Sequence, residues 1–380
     1  MNDPIRVRAA VLRRMGEPMT VEDVIVDPPG PGEVRVRVAA AGVCHSDLHL
    51  AEGDLGPERI PIVLGHEGAG VIEAVGPDVT SHASGDRVAF CFVPACGACR
   101  QCLAGRRNLC EPAGALAWKG VMLNGTTRLH TVDGERLLHF NFVSCFAESC
   151  VVPVGAAVPL PAGIPLWKAA LLGCGVVTAF GAVQEVARVQ PGESVCIIGC
   201  GGVGLHVISA VRIAGATTIV AVDRGADKLE RARSFGATHI VDATVERVVR
   251  TVHDLSGGGV DHAFEVVGRS DTIRQAWDVL RPGATAVVAG LTPRGVDVTL
   301  PGLDLLSEKG LQGTYYGSGD PAARIRSLAE LAAADGFPIG EAVSDVTDLG
   351  GIDAAFDRLR DGVGARTIVL VHPELTGHPV

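Results

Sequence analysis

The chain is poor in aromatic residues and has no long run of positive charge. Only 4% of its 380 residues are aromatic, whereas 49 are glycine. This composition predicts tight turns and close backbone approaches in place of a large aromatic core. Lys and Arg total 33 against 43 Asp and Glu, and no basic run exceeds two residues, as at Arg106-Arg107. The formal charge of −10 argues against nucleic acids and anionic membranes as partners.

Long hydrophobic segments are also missing. The N-terminal stretch MNDPIRVRAAVLRR lacks the continuous apolar core of a signal peptide, and no stretch of about 18 uncharged apolar residues predicts a membrane span. We therefore expect a soluble, cytoplasmic protein. Eleven cysteines in a reducing compartment do not predict a disulfide framework, and an odd number cannot pair completely. Metal binding or catalysis is the better hypothesis for these thiols.

The pattern of apolar residues changes along the chain, and this change, like the length, predicts two domains. Residues 1 to about 95 contain alternating runs such as EVRVRVAAAG, which indicate β-strands. From about Gly192, short β-branched runs such as TIVAVD alternate with helical patterns such as ADKLERARSFG. That alternation is typical of a parallel sheet with crossover helices. The last segments, a helical DPAARIRSLAELAAADG and a strand-like RTIVLV among them, fit either domain on periodicity alone.

A glycine-rich turn follows the predicted strand SVCIIG and precedes a helical pattern. Gly199, Gly201 and Gly204 form G-x-G-x-x-G, and Asp223 ends the next predicted strand nineteen residues later. This arrangement is typical of a site for the pyrophosphate of a dinucleotide, held at a helix N-terminus. Asp223 favours NAD over NADP because it would accept hydrogen bonds from a ribose and repel a 2′-phosphate, although Arg224 beside it weakens that preference. The alternative is a turn that binds nothing.

Four cysteines crowd one short segment, CGACRQCLAGRRNLC. The thiols are Cys96, Cys99, Cys102 and Cys110. Four thiolates on one loop can surround Zn²⁺ tetrahedrally and leave no open position. An iron–sulfur cluster also uses closely spaced thiols, but the last interval here is longer than in the bacterial ferredoxin pattern and no proline follows. A closed structural zinc site is therefore the preferred interpretation.

Other candidate ligands are scattered. Cys44 begins the polar segment CHSDLH, His66 and Glu67 lie in GHEGAGVIEAVGPDV, and Cys174 lies in LLGCGVVTAFG. Taken singly, each fits a structural role, because a buried Cys packs as a small hydrophobic side chain. The spacing does not show whether Cys44, His66 and Cys174 converge.

Together, these motifs resemble the zinc-dependent alcohol dehydrogenases of the medium-chain dehydrogenase/reductase family, in its class III-like bacterial branch. GHE-x2-G-x5-G-x2-V is matched in full at residues 65–79, and the four-cysteine segment and GCGGVG follow in the family's order. The resemblance covers almost the whole chain and implies an α/β fold. A GroES-like, β-rich catalytic domain at 1–178 would carry a structural-zinc lobe at about 93–113. A Rossmann NAD-binding domain with a doubly wound parallel sheet would span 179–318, and residues 319–380 would return to the catalytic domain.

The resemblance implies two Zn²⁺ ions per chain. Cys44, His66 and Cys174 would bind the catalytic ion; zinc alcohol dehydrogenases are a standard example of such a Cys2His site, and this ligand set follows from the resemblance alone. Glu67 is similar to a residue that approaches the metal transiently. Asp47 is similar to the carboxylate that orients the metal-bound imidazole, here His66.

The resemblance also implies the remaining site residues. Ser46 and His49 look like the proton relay, with the nicotinamide ribose between them. His45 and Arg366 would contact the pyrophosphate, and Thr178, Val203 and Leu291 would lie against the nicotinamide. Residues expected at the cofactor are therefore His45, Thr178, Gly199, Gly201, Gly202, Val203, Gly204, Asp223, Arg224, Lys228, Leu291 and Arg366. Those expected at the substrate pocket are Phe92, Leu116, Trp118, Phe140 and Asn141, each of which also fits a role in core packing.

The implied activity is the reversible, NAD-linked oxidation of a primary alcohol, apolar or aromatic, to an aldehyde. Zinc would lower the pKa of the alcohol so that a hydride can leave for the nicotinamide. The alternatives are a thiol-adduct formaldehyde dehydrogenase, a dehydrogenase with tightly bound nicotinamide and an external acceptor, and a zinc- and NAD-binding protein without turnover. The DLGPER segment and Gly114-Ala115 lack the expected glutathione-binding pattern.

The resemblance also implies a homodimer or a homotetramer, with the sheet edge of the nucleotide domain as the contact.

Overall fold

The structure, a computed structural model, describes residues 3–56 and 59–378. These residues form eighteen strands: β1 (Ile5–Leu12), β2 (Thr20–Val26), β3 (Glu33–Gly42), β4 (Ile62–Val63), β5 (Gly68–Val75), β6 (Arg87–Phe90), β7 (Leu129–Thr131), β8 (Arg136–His139), β9 (Ser149–Pro153), β10 (Ala157–Pro159), β11 (Ser194–Ile198), β12 (Thr218–Asp223), β13 (His239–Asp242), β14 (Val260–Glu265), β15 (Leu280–Val288), β16 (Gly310–Gly313), β17 (Val343–Thr347) and β18 (Arg366–Leu370).

The described ranges also contain twelve α-helices, several of them very short. They are α1 (His45–Ala51), α2 (Arg100–Leu103), α3 (Glu111–Ala117), α4 (Leu166–Ala170), α5 (Gly175–Gly181), α6 (Gly202–Ile213), α7 (Ala226–Phe235), α8 (Val248–Ser256), α9 (Ser270–Asp278), α10 (Pro321–Ala333), α11 (Ile352–Arg360) and α12 (Pro373–Thr376). Within the described ranges, no single helix is long and apolar enough to span a membrane; only the bent pair Leu166–Gly173 and Gly175–Ala187, taken together, passes that test.

The chain divides into two compact units, residues 1–174 with 320–380 and residues 175–319. The first boundary lies four residues before the one predicted from the sequence. The reason is helix α5, which runs from Gly175 to Gly181 and packs against α6, so a cut at residue 178 would pass through the middle of a helix. Thr178 thus belongs to the second unit. The C-terminal segments that periodicity did not assign belong to the first.

The first unit is built from strands on two sheets. Strands β1, β2, β7, β8 and β4 close a barrel, and a second sheet has the order β10-β6-β5-β3-β18-β17, with β9 also paired to β3. The alternation predicted for EVRVRVAAAG becomes β3, which is almost wholly buried because β5, β9 and β18 all pair with it. The apolar faces of β1 and β2 fill the barrel core. This is the predicted β-rich domain.

The second unit contains one six-stranded parallel sheet. Its order is β13-β12-β11-β14-β15-β16, and every neighbouring pair runs parallel. In chain order within the unit this is 3-2-1-4-5-6, the order of the Rossmann fold. Its core gathers β-branched residues of the strands around Trp277, which is fully buried. The fold class predicted from the sequence, GroES-like plus Rossmann, is confirmed.

The glycine-rich turn joins β11 to α6 at the point where the strand order reverses. Gly199 has φ of +102°, a left-handed conformation that favours glycine. A Cβ on Gly204 would overlap the carbonyl oxygen of Gly199, whereas a Cβ on Gly201 would meet nothing within 4 Å. Gly204 is therefore needed for packing, while Gly201 keeps a space open above the turn.

Replacing these two glycines should separate folding from binding. We expect Gly204→Ala to lower the unfolding temperature of the apo protein by about 3 °C, because overpacking against a backbone carbonyl costs ~2 kcal/mol. Gly201→Ala is the matched control and should leave that temperature unchanged while weakening NADH binding. Thermal unfolding and NADH titration measure the two effects, and equal unfolding temperatures for the two variants would contradict this account of the turn.

Candidate active site

Three segments of the first unit bring thiols and an imidazole together. Cys44 precedes α1 in an extended conformation, with φ of −125°. His66 lies between β4 and β5, and Cys174 ends the short 3-10 turn at Leu171–Gly173. One potential ligand atom from each of Cys44, His66, Glu67 and Cys174 lies within 4.8 Å of every other, and all four residues are buried. The structure thus shows the convergence that spacing left open.

The unsatisfied polar atoms of this cluster fit a metal ion. Nε2 of His66 and Oε1 of Glu67 are buried and meet no hydrogen-bond partner among the described residues. The thiol sulfurs of Cys44 and Cys174 are 3.9 Å apart. A buried polar atom without a partner is costly, and a soft cation would satisfy all of these atoms together. Two thiolates and an imidazole are ligands that Zn²⁺ prefers, so the residues present fit a catalytic zinc.

Asp47 orients His66 from the side opposite the thiols. Asp47 is fully buried, and its Oδ2 lies 3.0 Å from Nδ1 of His66. Its Oδ1 accepts a hydrogen bond of 2.8 Å from the backbone N–H of Gly65. Burial raises the pKa of Asp47, and the neighbouring His66 opposes that rise. This is a charge contact without hydrogen-bond geometry, since Oδ2 of Asp47 and Nδ1 of His66 each lack a hydrogen bond among the described residues. With Nδ1 facing the carboxylate, Nε2 is the nitrogen that remains for a metal.

Electrostatics within the cluster favour a thiolate at Cys44. Contact with the Cys174 thiol lowers the pKa of Cys44, burial works against this, and His66 lowers it further. Burial raises the pKa of Glu67 to about 7, although the guanidinium of Arg366 opposes the change. Contact with Cys44, and then burial, raise the pKa of Cys174, so the two thiols favour a single thiolate between them. A metal ligand must be deprotonated, so a bound cation would have to displace the second proton.

Arg366 lies inside the first unit and balances this negative charge. Its guanidinium is buried and forms an ion pair with Glu67. It also donates a hydrogen bond of 3.1 Å to the carbonyl oxygen of Val43. Glu67 and Arg366 are 299 positions apart, and nothing in the sequence pointed to their pairing. The pyrophosphate contact expected for Arg366 remains a prediction.

Two of the five expected pocket residues lie against His66. The rings of Phe92 and Phe140 approach its imidazole edge-on, with centroid distances of 5.2 and 5.3 Å. Both are buried, so they shield the cluster with apolar surface. Leu116 and Asn141 are half-buried, and Trp118 is 57% exposed beneath the guanidinium of Arg59. For all five, a role in the substrate pocket remains a prediction.

Helix α1 presents the polar residues next to the cluster. Oγ of Ser46 lies 3.8 Å from Sγ of Cys44, which places this hydroxyl beside the proposed metal site. His45 is exposed and its ring centroid lies 6.3 Å from that of His49. Nδ1 of His49 lies 2.7 Å from Oδ2 of Asp54, a contact that the sequence did not predict. A glycine and an acidic residue directly after a short helix were the signal available for it.

The four cysteines of the second cluster also converge. One sulfur from each of Cys96, Cys99, Cys102 and Cys110 lies within 4.8 Å of the others. The backbone N–H of Cys96 donates to Sγ of Cys110, and the backbone N–H of Cys99 donates to Sγ of Cys96, each at 3.3 Å. Hydrogen bonds from backbone N–H groups lower the pKa of Cys99 to about 6, and the one from Cys102 has the largest effect. Four thiols at one point, with no imidazole or carboxylate, fit a closed structural zinc.

The dinucleotide motif of the second unit places Asp223 at the end of β12. Its Oδ2 accepts from the backbone N–H of Cys200 at 2.7 Å, and its Oδ1 accepts from those of Arg224 and Gly225. Asp223 thus fixes the glycine-rich turn as well as standing where a ribose is expected. Gly202 and Val203 begin α6, and their backbone N–H groups are unpaired within the helix, as at any helix N-terminus.

Four further residues expected at the cofactor lie in the second unit, whereas His45 and Arg366 lie in the first. Thr178 is buried on α5, Lys228 is half-buried on α7, Arg224 is exposed, and Leu291 is 39% exposed after β15. Their contacts with a nicotinamide cofactor stay predictions.

Comparison with known proteins agrees with this fold and with a zinc-binding dehydrogenase. The family described as "Alcohol dehydrogenase GroES-like domain" matches residues 30–162, and that described as "Zinc-binding dehydrogenase" matches residues 202–334. The chain is 36% identical to the class-3 alcohol dehydrogenase of Myxine glutinosa, over 96% of this chain and 98% of the relative.

Two crystal structures resemble it over nearly their whole lengths. A protein described as an alcohol dehydrogenase zinc-binding domain protein, from Burkholderia ambifaria, is 36% identical, with a TM-score of 0.92 and coverage of 97% of this chain and 100% of that one. Benzyl alcohol dehydrogenase from Acinetobacter calcoaceticus is 31% identical, with a TM-score of 0.91 and coverage of 97% and 99%. The chain therefore belongs to the zinc-dependent, medium-chain alcohol dehydrogenase family, and it is an oxidoreductase.

Metal analysis of single variants tests the two clusters. We expect the wild-type chain to hold about two zinc ions, and Cys174→Ala to hold about one, because only the catalytic cluster loses a ligand. Cys99→Ala should lose the other ion. Cys150→Ala is the matched control, since Cys150 is buried in β9 outside both clusters, and it should keep both. Retention of two ions by Cys174→Ala would show that Cys174 is not a ligand.

Proposed function

We propose that the chain is an NAD-dependent zinc alcohol dehydrogenase that oxidises apolar or aromatic primary alcohols to aldehydes and catalyses the reverse reduction. The observation that carries this proposal is the buried Nε2 of His66, without a hydrogen-bond partner among the described residues, together with the thiols of Cys44 and Cys174. Three ligands would leave one tetrahedral position for the alcohol oxygen.

Ser46, His49 and Asp47 each have a separate task in the proposed reaction. Zinc, when bound, supplies a Lewis acid that polarises the alcohol oxygen and lowers its pKa, and NAD, when bound, supplies the hydride acceptor. Ser46 stands beside the cluster, 3.8 Å from Sγ of Cys44, and takes the proton that the alcohol loses. His49 on the same helix is the imidazole that would pass the proton on to solvent, with the nicotinamide ribose between it and Ser46 when NAD is bound. Asp47 keeps His66 in the orientation for binding the metal.

Aromatic side chains beside the cluster support the choice of substrate. Phe92 and Phe140 stand edge-on to His66 and keep water from the cluster, so an apolar group next to the reacting carbon would lie among aromatic rings. The likeness to a benzyl alcohol dehydrogenase adds support for an aromatic alcohol.

We further propose that the protein acts as a homodimer, or a homotetramer built from such dimers, in the cytoplasm. Strand β16 is an edge of the parallel sheet, since β15 is its one neighbour in that sheet as described. The turn before it exposes Leu303, Leu305 and Leu306 at 77%, 58% and 82%. Exposed leucines beside an open strand edge are typical of a subunit interface.

Turnover with a panel of primary alcohols tests the activity. We expect NADH formation with benzyl alcohol and medium-chain alcohols, and Ser46→Ala should lower kcat about 100-fold while zinc content stays unchanged. Ser46→Thr, which keeps the hydroxyl, is the matched control and should retain most of the activity. If zinc and NAD bind but no alcohol is oxidised, the chain is a binding protein without turnover. Release of stoichiometric NADH on denaturation would instead indicate a tightly bound nicotinamide and an external acceptor.

Cofactor choice rests on one carboxylate. We expect Asp223→Ala to lower the ratio of kcat/KM with NAD to that with NADP about tenfold or more, because it removes a ribose contact worth ~1.5 kcal/mol and a charge that repels a 2′-phosphate. Asp227→Ala, which removes an exposed carboxylate from the next helix, is the matched control. An unchanged cofactor ratio in Asp223→Ala would contradict the assignment of Asp223.

A further inference from the structure

The imidazole of His49 has a carboxylate partner within its own loop. His49 lies in the last turn of α1, and its Nδ1 is 2.7 Å from Oδ2 of Asp54. The two side chains are 17% and 32% exposed, so both are largely covered. An ionised carboxyl only accepts hydrogen bonds, so Nδ1 of His49 is the donor in this contact. The ring must then leave Nε2 unprotonated whenever it is neutral.

The backbone holds Asp54 in place for this contact. The N–H of Asp54 donates a 2.9 Å hydrogen bond to the carbonyl oxygen of His49, so the chain folds back directly after the helix. Gly53 and Gly56 permit this turn with φ of +84° and +110°. Glu52 ties the same turn to α11 through an ion pair with Arg360. The backbone turn therefore places the carboxylate beside the ring, while the half-exposed ion pair of Glu52 adds little to this placement.

Among the charged groups around His49, Asp54 is the one that contacts the ring. On α1, His45 lies at a ring distance of 6.3 Å, and Asp47 is turned towards His66. From α11, which packs against α1, Arg360 is occupied by Glu52 and Asp357.

We propose that Asp54 is a positioning residue for proton transfer: it holds His49 with Nδ1 protonated, so that Nε2 is the atom that receives the proton coming from Ser46. The proton adds to the Nε2 lone pair, Nδ1 keeps its own proton, and the imidazolium that results lies beside the carboxylate until Nε2 releases its proton to solvent. No oxidant or further reactant is needed. This inference rests on the proposed function for the role of His49, but the tautomer itself does not depend on turnover.

Nitrogen NMR tests the tautomer without any activity. In protein labelled with ¹⁵N-histidine, the signals of His49 are assigned by their loss in His49→Gln. We expect the neutral ring of the wild type to carry its proton on Nδ1, and Asp54→Ala to shift it to Nε2, the form that an isolated imidazole favours in water. Glu52→Gln is the matched control, because it changes the same turn without touching His49, and it should keep the wild-type spectrum.

Kinetics tests the consequence. We expect Asp54→Ala to lower kcat for alcohol oxidation about tenfold, less than the ~100-fold cost of losing a general base, because the imidazole is still present. KM and zinc content should not change, and Asp54→Glu should recover more than half of the loss. Formate added to Asp54→Ala, as a small substitute for the missing carboxylate, should raise kcat, which it would not do if Asp54 only stabilised the fold. In a His49→Gln background, Asp54→Ala should have no further effect.

The outcomes separate the two proposals. If Asp54→Ala leaves both the tautomer and kcat unchanged while His49→Gln is impaired, the role of Asp54 is wrong and the relay stands. If His49→Gln is as active as the wild type, the relay assigned to His49 is wrong. If no variant, the wild type included, oxidises any alcohol, the proposed function fails, and the NMR result alone still decides whether Asp54 sets the tautomer.

Discussion

The contact between Asp47 and His66 is the interaction on which the rest of the site depends. Asp47 is fully buried, and a carboxylate without partners there would be very costly. Its two oxygens face the N–H of Gly65 and the Nδ1 of His66, so one side chain joins α1 to the segment before β5. The same contact turns Nε2 of His66 towards the thiols. Without it, the helix that carries Ser46 and His49 would lose its buried contact with the ligand His66.

Charge is the second constraint on this site. Two thiols and a carboxyl group lie together in the interior of the first unit, and Arg366 is the buried cation that pairs with Glu67. Removing one partner of a buried ion pair leaves an uncompensated charge, which is more costly than never having had the pair. Since Arg366 lies in β18 and Glu67 just before β5, the C-terminal segment contributes directly to the electrostatics of the ligand cluster.

Much of the fold could be predicted because it depends on local patterns. The alternation in β3 and the strand-turn-helix around Gly199 involve residues only a few positions apart, and each formed as the sequence indicated. The four-cysteine cluster is local in the same sense.

The convergence of Cys44, His66 and Cys174 could not be read from the sequence, because it depends on how β3, β5 and the turn at Leu171–Gly173 pack. Only the resemblance to a family supplied it. Asp54 was missed because its contact depends on the left-handed backbone of Gly53 and Gly56, which no residue pattern specified.

Helix α1 carries the hydroxyl beside the cluster, the carboxylate that orients a ligand and the imidazole of the relay within seven residues. Leu48, Leu50 and Ala51 are buried, while His45, Ser46 and His49 are the more exposed side chains of the helix. Each residue of an α-helix advances the chain by about 100° and ~1.5 Å. Inserting one residue between Asp47 and His49 would therefore rotate His49, together with Asp54, away from Ser46 and Asp47, and would exchange polar for apolar side chains on the buried face. The chemistry of this segment therefore depends on where each side chain points around the helix axis as much as on which residue it is. A change in the length of the helix would alter all of these directions at once.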